Sequence, residues 1–287
     1  MNSLINKLIV FCDRICVDPI RRLTEPLVGK TKVYSYRGHK IAYERFGVRR
    51  YKLRDPDWRY EPAVTDIIVK RLRKVDKPIF IDIGSHIGFI SLNILKEVPS
   101  AKIFAFEPGN RQRELFEQTI KLNNIEDAIA LSSYALGEES GTLDFICQKQ
   151  WPEADDSMGN GFVDTKRWTK TTRCKVQVET LDNWWNSVGN IQVDAIKIDT
   201  EGAELYVLRG GQALISALKP LIVLEIQPLN LRAYPYDPED IFDWLFANSY
   251  TLHDMNGYVV HKSTIGEAAS VNEMFVAVSK LENNGYF

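Results

Sequence analysis

Ile79-Phe80-Ile81-Asp82-Ile83-Gly84-Ser85-His86-Ile87-Gly88 is the stretch on which the reading of this chain turns. Its first five residues are an apolar run broken by one acid, the pattern of a strand buried on both faces of a parallel sheet. Gly84 lets the chain turn tightly and leaves room for a ligand against the backbone. Gly88 lets a helix begin close to the strand, and that helix is expected from about Ile87 to Glu97. This is not the dinucleotide fingerprint, in which three glycines shield a pyrophosphate at a helix N-terminus. Here an acid precedes the first glycine, and a carboxylate suits a ligand carrying a positive amino group. The motif alone is also what an ordinary tight strand-to-helix turn requires.

Downstream, the pattern repeats. Ala101 to Phe106 reads as a second strand, followed by Glu107 one βαβ step after Asp82. An acid at that strand end accepts hydrogen bonds from both hydroxyls of a ribose. A helix is expected over Arg111 to Asn123, and a third strand begins at Ala128 to Leu131. Gly141 to Cys147 reads as a strand of an inserted hairpin, with another strand at Lys175 to Val178. Further strands end on acids at Asp199 and Glu225, separated by a helix from Ala203 to Leu218. A helix over Pro238 to Ala247 precedes two strands, Tyr250 to Asp254 and Met274 to Val278, around a loop at Gly257. The alternation implies a Rossmann-like α/β fold: a mostly parallel seven-stranded sheet, helices on both faces, and an antiparallel hairpin at one side. Residues 1–75 read as an accessory region, and 76–282 as the main domain. The accessory part carries a hairpin from Tyr34 to Tyr43 about Gly38. It also carries a helix opened by Pro62 and closed by the cations Lys70, Arg71, Arg73 and Lys74, which complement its dipole.

Lys197-Ile198-Asp199-Thr200-Glu201-Gly202-Ala203-Glu204 carries the densest set of acids. Asp199 and Glu201 flank a strand-to-helix turn at Gly202, while Glu204 suits a capping role in the first helical turn. A general base for a hydroxyl would come from Asp199, Glu201, Glu225, His86 or His253, with Asp199 and Glu201 ranked first by their place at a strand end. His253 is equally an ordinary packed histidine, and Trp184 and Trp185 belong to the core. No ligand spacing calls for a divalent metal between Asp199, Glu201 and Glu225.

A net charge of −2 gives no basic surplus for nucleic acid. The four cysteines form no CxxC pair and no zinc spacing, which fits reduced thiols in a cytoplasmic protein. Leu4, Ile5, Leu8, Phe11, Cys12 and Ile15 form a helical stripe too short to span a membrane, suited to packing on the host domain or on a second copy of the chain. No transmembrane segment is expected. The polar stretch 148–172, with Trp151 and Trp168, is a candidate lid over an acceptor.

Together, Asp82 to Gly88, Phe106-Glu107-Pro108, Ala135-Leu136-Gly137, Thr180-Leu181-Asp182 and Lys197 to Glu204 resemble the successive motifs of the FkbM-type methyltransferases. The resemblance covers about residues 78–230, and more loosely the chain to 280. It implies a class I methyltransferase fold and S-adenosylmethionine as cofactor. It implies a small-molecule or glycan acceptor methylated on a hydroxyl. It also implies that Asp82, Gly84 and Gly88 line the methionine end, Glu107 holds the ribose, and Ser133 and Tyr134 lie by the adenine; His86 is placed with the cofactor-binding residues from its position in the turn, and Asp199 and Glu201 are the catalytic candidates from theirs. His86 is a departure, since the family often has Asn or another small residue there. Two rival readings are an NAD(P)-dependent oxidoreductase, which needs the missing three-glycine turn, and a non-catalytic scaffold subunit that binds S-adenosylmethionine.

Overall fold

The computed structural model describes residues 31–44, 53, 55, 57–148 and 171–281. The N-terminal stripe with Cys12 and Cys16, and residues 149–170 of the candidate lid with Trp151 and Trp168, lie outside them.

The Asp82 stretch forms β3 (Ile79–Ile83), and four of its five residues are buried. It lies inside an eight-stranded sheet with β4 (Lys102–Phe106), β5 (Ile129–Ser132), β9 (Ala195–Ile198), β10 (Leu221–Glu225), β11 (Tyr250–Asp254), β12 (Val259–Val260) and β13 (Met274–Ser279). The strand order is β12-β11-β13-β10-β9-β3-β4-β5. The chain runs outward from β3 through β4 to β5, then returns to β9 on the other side of β3, and these strands pair in parallel. The order therefore reverses between β3 and β9, where open α/β sheets bind ligands at their carboxyl ends.

Helices α1 (Pro62–Leu72), α2 (Phe89–Glu97) and α3 (Asn110–Asn123) bury their apolar sides against one face of this sheet, with Ile68, Leu72, Ile94 and Phe116 meeting Phe80, Ile103 and Val223. The other face, through Ile81, Ile196 and Leu224, packs on α4 (Leu181–Ser187), α5 (Glu204–Gly210), α6 (Gln212–Leu218), α7 (Pro228–Leu231), α8 (Pro238–Ala247) and α9 (Ile265–Val271). Trp184 sets its ring edge-on to Phe104 and Phe106 in this second layer. Asp237 begins α8 with a capping box to Asp240, the local reason for its clean start.

The hairpin β1 (Thr31–Tyr36) and β2 (His39–Glu44) turns through Arg37 and Gly38, both at positive φ, as a tight two-residue turn requires. Tyr36, Ile41 and Tyr43 bury against Phe89, Leu92 and Leu115 of α2 and α3. A separate three-stranded sheet, β6 (Ala135–Leu136), β8 (Thr171–Glu179) and β7 (Gly141–Gln148) in that order, stands beside the carboxyl ends of the main sheet.

Three details differ from the sequence expectations. The helix expected over Ala203 to Leu218 is two helices, the first ending on Gly210, with Gly211 between them. A Cβ on Gly210 would meet the Gly137 carbonyl oxygen at 2.0 Å, and one on Gly211 the Leu181 side chain at 2.7 Å, so close packing sets the break. The turn at Gly257 joins β11 to the short β12, not to β13, and gives the sheet an eighth strand. The link to β13 carries α9, although β11 and β13 are antiparallel neighbours as expected. Among the described residues no helix is long and apolar enough to cross a membrane.

Gly88 has φ of 86°, and a Cβ there would lie 2.1 Å from the Phe116 ring. Gly88→Ala combines overpacking with a disfavoured backbone conformation and is expected to destabilise the fold by about 2–4 kcal/mol. Urea unfolding should show a lowered midpoint with an unchanged slope; an unchanged midpoint would contradict this packing account.

Candidate active site

At the reversal point Lys197 sits inside a buried strand, paired in register with Asp82. Its ammonium lies 3.0 Å from Asp199 Oδ2 and 3.8 Å from Asp82 Oδ1, and it donates to the Gly84 carbonyl oxygen at 3.0 Å. Burial by itself would lower the Lys197 pKa, but the carboxylates of Asp199, Asp82 and Glu61 outweigh it and hold the group above its ordinary value. Asp82 is fully buried, accepts from the Ser91 hydroxyl at 2.6 Å, and is pushed up by burial against the pull of Lys197. Asp82 thus lies beneath the site, on the ammonium, and does not form its wall.

The wall is a cleft of about 950 Å³, counting the part open to solvent, across the carboxyl ends of the strands. Gly84, His86, Glu107, Tyr134, Asp199 and Glu201 border it together, all of them anticipated from the sequence. Asp82, Gly88 and Ser133 do not line it: Gly88 is occupied by packing on Phe116, and Ser133 is exposed beside Tyr134. Gly84 has φ of 73°, and a Cβ there would run into the Asp199 carbonyl oxygen at 1.8 Å, so only glycine lets these strand ends converge.

The cleft has two ends of different chemistry. Beyond β4 it is bounded by Phe106, Leu136, Phe145 and Tyr134. Toward β9 and β10 it is bounded by Glu61, Asp199, Glu201 and Glu225. Glu107 stands between, buried, with its carboxylate accepting from the backbone N–H groups of His86 at 2.8 Å and Gly109 at 2.7 Å. Burial raises its pKa to about 7 even so. Each of its oxygens keeps a lone pair for a ligand hydroxyl.

Asn230 donates to Glu201 Oε2 at 2.9 Å and to Glu225 Oε2 at 3.1 Å, clamping two acids with one amide. Burial, then the charges of Asp199, Glu201 and Glu204, drive Glu225 well above the ordinary carboxylate range. Glu204 turns inward as a cap: one of its oxygens accepts from the Thr200 and Gly202 N–H groups and the Thr200 hydroxyl. His253 is buried in β11 and does not border the cleft. Among the described residues no three Asp, Glu, His or Cys side chains are grouped to hold a metal ion.

Three non-glycine residues of the wall have positive φ: Glu61 at 41°, His86 at 53° and Glu201 at 57°. Such conformations cost of order 1–3 kcal/mol each and collect at functional sites. Sequence reading missed Glu61 and the part played by Lys197. The signal for Lys197 was present: a lysine inside Ala195-Ile196-Lys197-Ile198 must find an acid at the same depth, and Asp82 is the acid in the other buried strand. Glu61 had no such signal, because its partners lie far along the chain.

The family model for the methyltransferase FkbM domain matches residues 82–252. A methyltransferase 1 of Beauveria bassiana is 29% identical over 147 residues, covering 47% of this chain and 59% of that protein. The 2-O-methyltransferase NoeI of Sinorhizobium fredii is 27% identical over 168 residues, covering 52% of this chain and 63% of that protein. The chain thus spans about three-fifths of the length of these relatives. A crystal structure of the methyltransferase FkbM from Methylobacillus flagellatus aligns with 82% of this chain and 53% of its own at 13% identity, with a TM-score of 0.44. On the family match, which runs through both the Asp82 and the Lys197 motifs, the chain belongs to the FkbM methyltransferase domain family.

Proposed function

We propose that this chain transfers a methyl group from S-adenosylmethionine to a hydroxyl oxygen of a small molecule or a glycan. The observation that carries the reading is the polarity of this cleft: an apolar end at Tyr134 and Phe145, a buried acceptor at Glu107, and an acidic end at Glu61, Asp199, Glu201 and Glu225. That order matches adenine, ribose and a cationic methionine. The buried Glu61 Oε2 at the acidic end, without a hydrogen-bond partner among the described residues, fits a cationic group as well. The 2-O-methyltransferase among the relatives supports a hydroxyl acceptor.

When bound, the sulfonium supplies an already activated methyl group. The chain has two tasks left. It must hold an acceptor oxygen in line, an ordering worth up to ~7–11 kcal/mol in ideal cases. It must also take the acceptor's proton, a contribution of typically ~10²–10⁴-fold. Asp199 and Glu201 border the cleft on the side away from the apolar end and are the carboxylates proposed for that proton. Asp199 is a quarter exposed and pairs with the Lys197 ammonium at 3.0 Å.

Calorimetric titration of the full chain should detect S-adenosylmethionine and no NAD; the reverse preference would remove the reading. Glu107→Ala is expected to weaken S-adenosylmethionine roughly 10- to 100-fold, the worth of hydrogen bonds to a charged group. Because Glu107 ionises near 7, affinity should be full at pH 8 and fall as the pH drops through 7. In a radiolabel assay over carbohydrate acceptors, Asp199→Asn or Glu201→Gln should cut turnover by ~10²-fold or more with S-adenosylmethionine affinity largely kept. Full turnover in both variants would eliminate them as the base.

A further inference from the structure

Glu61 precedes the matched segment of the family, yet its carboxylate is part of the cleft. It is held there by residues of the accessory hairpin and of α2. The Tyr36 hydroxyl accepts from the Tyr60 N–H at 3.0 Å and donates to Asn93 Oδ1 at 2.8 Å, and the Asn93 amide donates to the Tyr60 carbonyl oxygen at 3.1 Å. The Tyr60 ring stacks on Phe89 at 5.2 Å. This network fixes the backbone just before Glu61, which then takes a left-handed conformation to begin α1. Such a conformation at a residue with a side chain is not needed to start a helix, since an extended cap residue does so at no cost.

The strained backbone aims a carboxylate whose Oε2 is buried and has no hydrogen-bond partner among the described residues. Among the described residues Asp199, Asp82 and the Lys197 ammonium act on this carboxylate, which also takes a hydrogen bond from the Tyr60 side chain. Among the described residues one cation therefore serves these three carboxylates. Burial and the Asp199 charge push the Glu61 pKa up to about 7, against the pull of Lys197.

We propose that Glu61 pairs with the α-ammonium of the methyl donor, so that a residue ahead of the matched family segment completes the cofactor cleft. The role assigned from sequence to Asp82, meeting a positive amino group, passes to Glu61, because Asp82 is fully buried in β3, 3.8 Å from the Lys197 ammonium, and does not border the cleft, whereas Glu61 does. The inference rests on the reading of the cleft as an S-adenosylmethionine site.

Three probes separate the contributions. S-adenosylmethionine carries ammonium and sulfonium, S-adenosylhomocysteine keeps the ammonium without the sulfonium, and 5′-methylthioadenosine has neither while keeping the ribose and adenine. Titrated at pH 7.5 into the full chain, Glu61→Gln should weaken the first two about tenfold or more and leave the third within about twofold. Equal affinities in variant and parent, or an equal loss for all three probes, would overturn the assignment while leaving the cofactor reading intact. Failure of the parent protein to bind any of the three would overturn both. If Glu61→Gln does not fold, the parent decides the matter. Between pH 7.5 and 6, affinity for S-adenosylhomocysteine should fall more steeply than that for 5′-methylthioadenosine, since Glu107 acts on both and Glu61 only on the first. Parallel slopes would overturn the assignment.

Discussion

The ammonium of Lys197 lies in the centre of the sheet, 3.0 Å from Asp199 and 3.8 Å from Asp82, with the Gly84 carbonyl as a further acceptor. A buried ammonium costs several kcal/mol of lost hydration unless opposite charges and hydrogen bonds replace the water. Here they do, and the three partners come from the ends of β3 and β9, the two strands between which the strand order reverses. The same contacts bring the Asp82 strand and the Asp199 strand to a common depth and hold the glycine turn against the Asp199 backbone. The cleft is the space left above this pairing.

From that arrangement follow the electrostatics of the wall. Lys197 compensates the acids below and beside it, but not all of those that converge on the cleft. Glu61, Glu107 and Glu225 are each raised above the usual carboxylate range, with burial as the first cause in every case. Such a wall favours a cationic occupant, and a cationic occupant in turn favours their ionised forms. The left-handed conformations of Glu61, His86 and Glu201 belong to the same picture: rigid surroundings, including the Tyr36–Tyr60–Asn93 network and the Asn230 clamp, hold side chains where an unstrained chain would not put them.

Much of this was legible in the sequence because it is local. Strand runs such as Ile79–Ile83 and Leu221–Glu225, the helix opened by Pro238, and the hairpin at Gly38 each follow from a few neighbouring residues. The acids at strand ends were legible for the same reason, and Gly84, His86, Glu107, Tyr134, Asp199 and Glu201 do share one cleft. What was not legible depends on depth or on distant partners. Asp82 and Glu107 look alike as acids closing buried strands, yet Asp82 falls within the strand beside Lys197 and Glu107 just beyond the strand's end, in the wall. Gly88 reads as a ligand glycine, but the structure gives it to the Phe116 ring from a helix further along. Glu61 lies in a segment with no motif and is brought to the cleft by a hairpin far from it in sequence.

The pairing of Lys197 with Asp82 is tested most directly by a double-mutant cycle read by urea unfolding. Lys197→Met alone is expected to destabilise the fold by roughly 3–5 kcal/mol, since it strands buried carboxylates. In an Asp82→Asn background the same substitution should cost less, with a coupling of about 1–3 kcal/mol. Additive losses, agreeing within about 0.5 kcal/mol, would mean that the two charges do not support one another, and the account of the cleft built above them would fail.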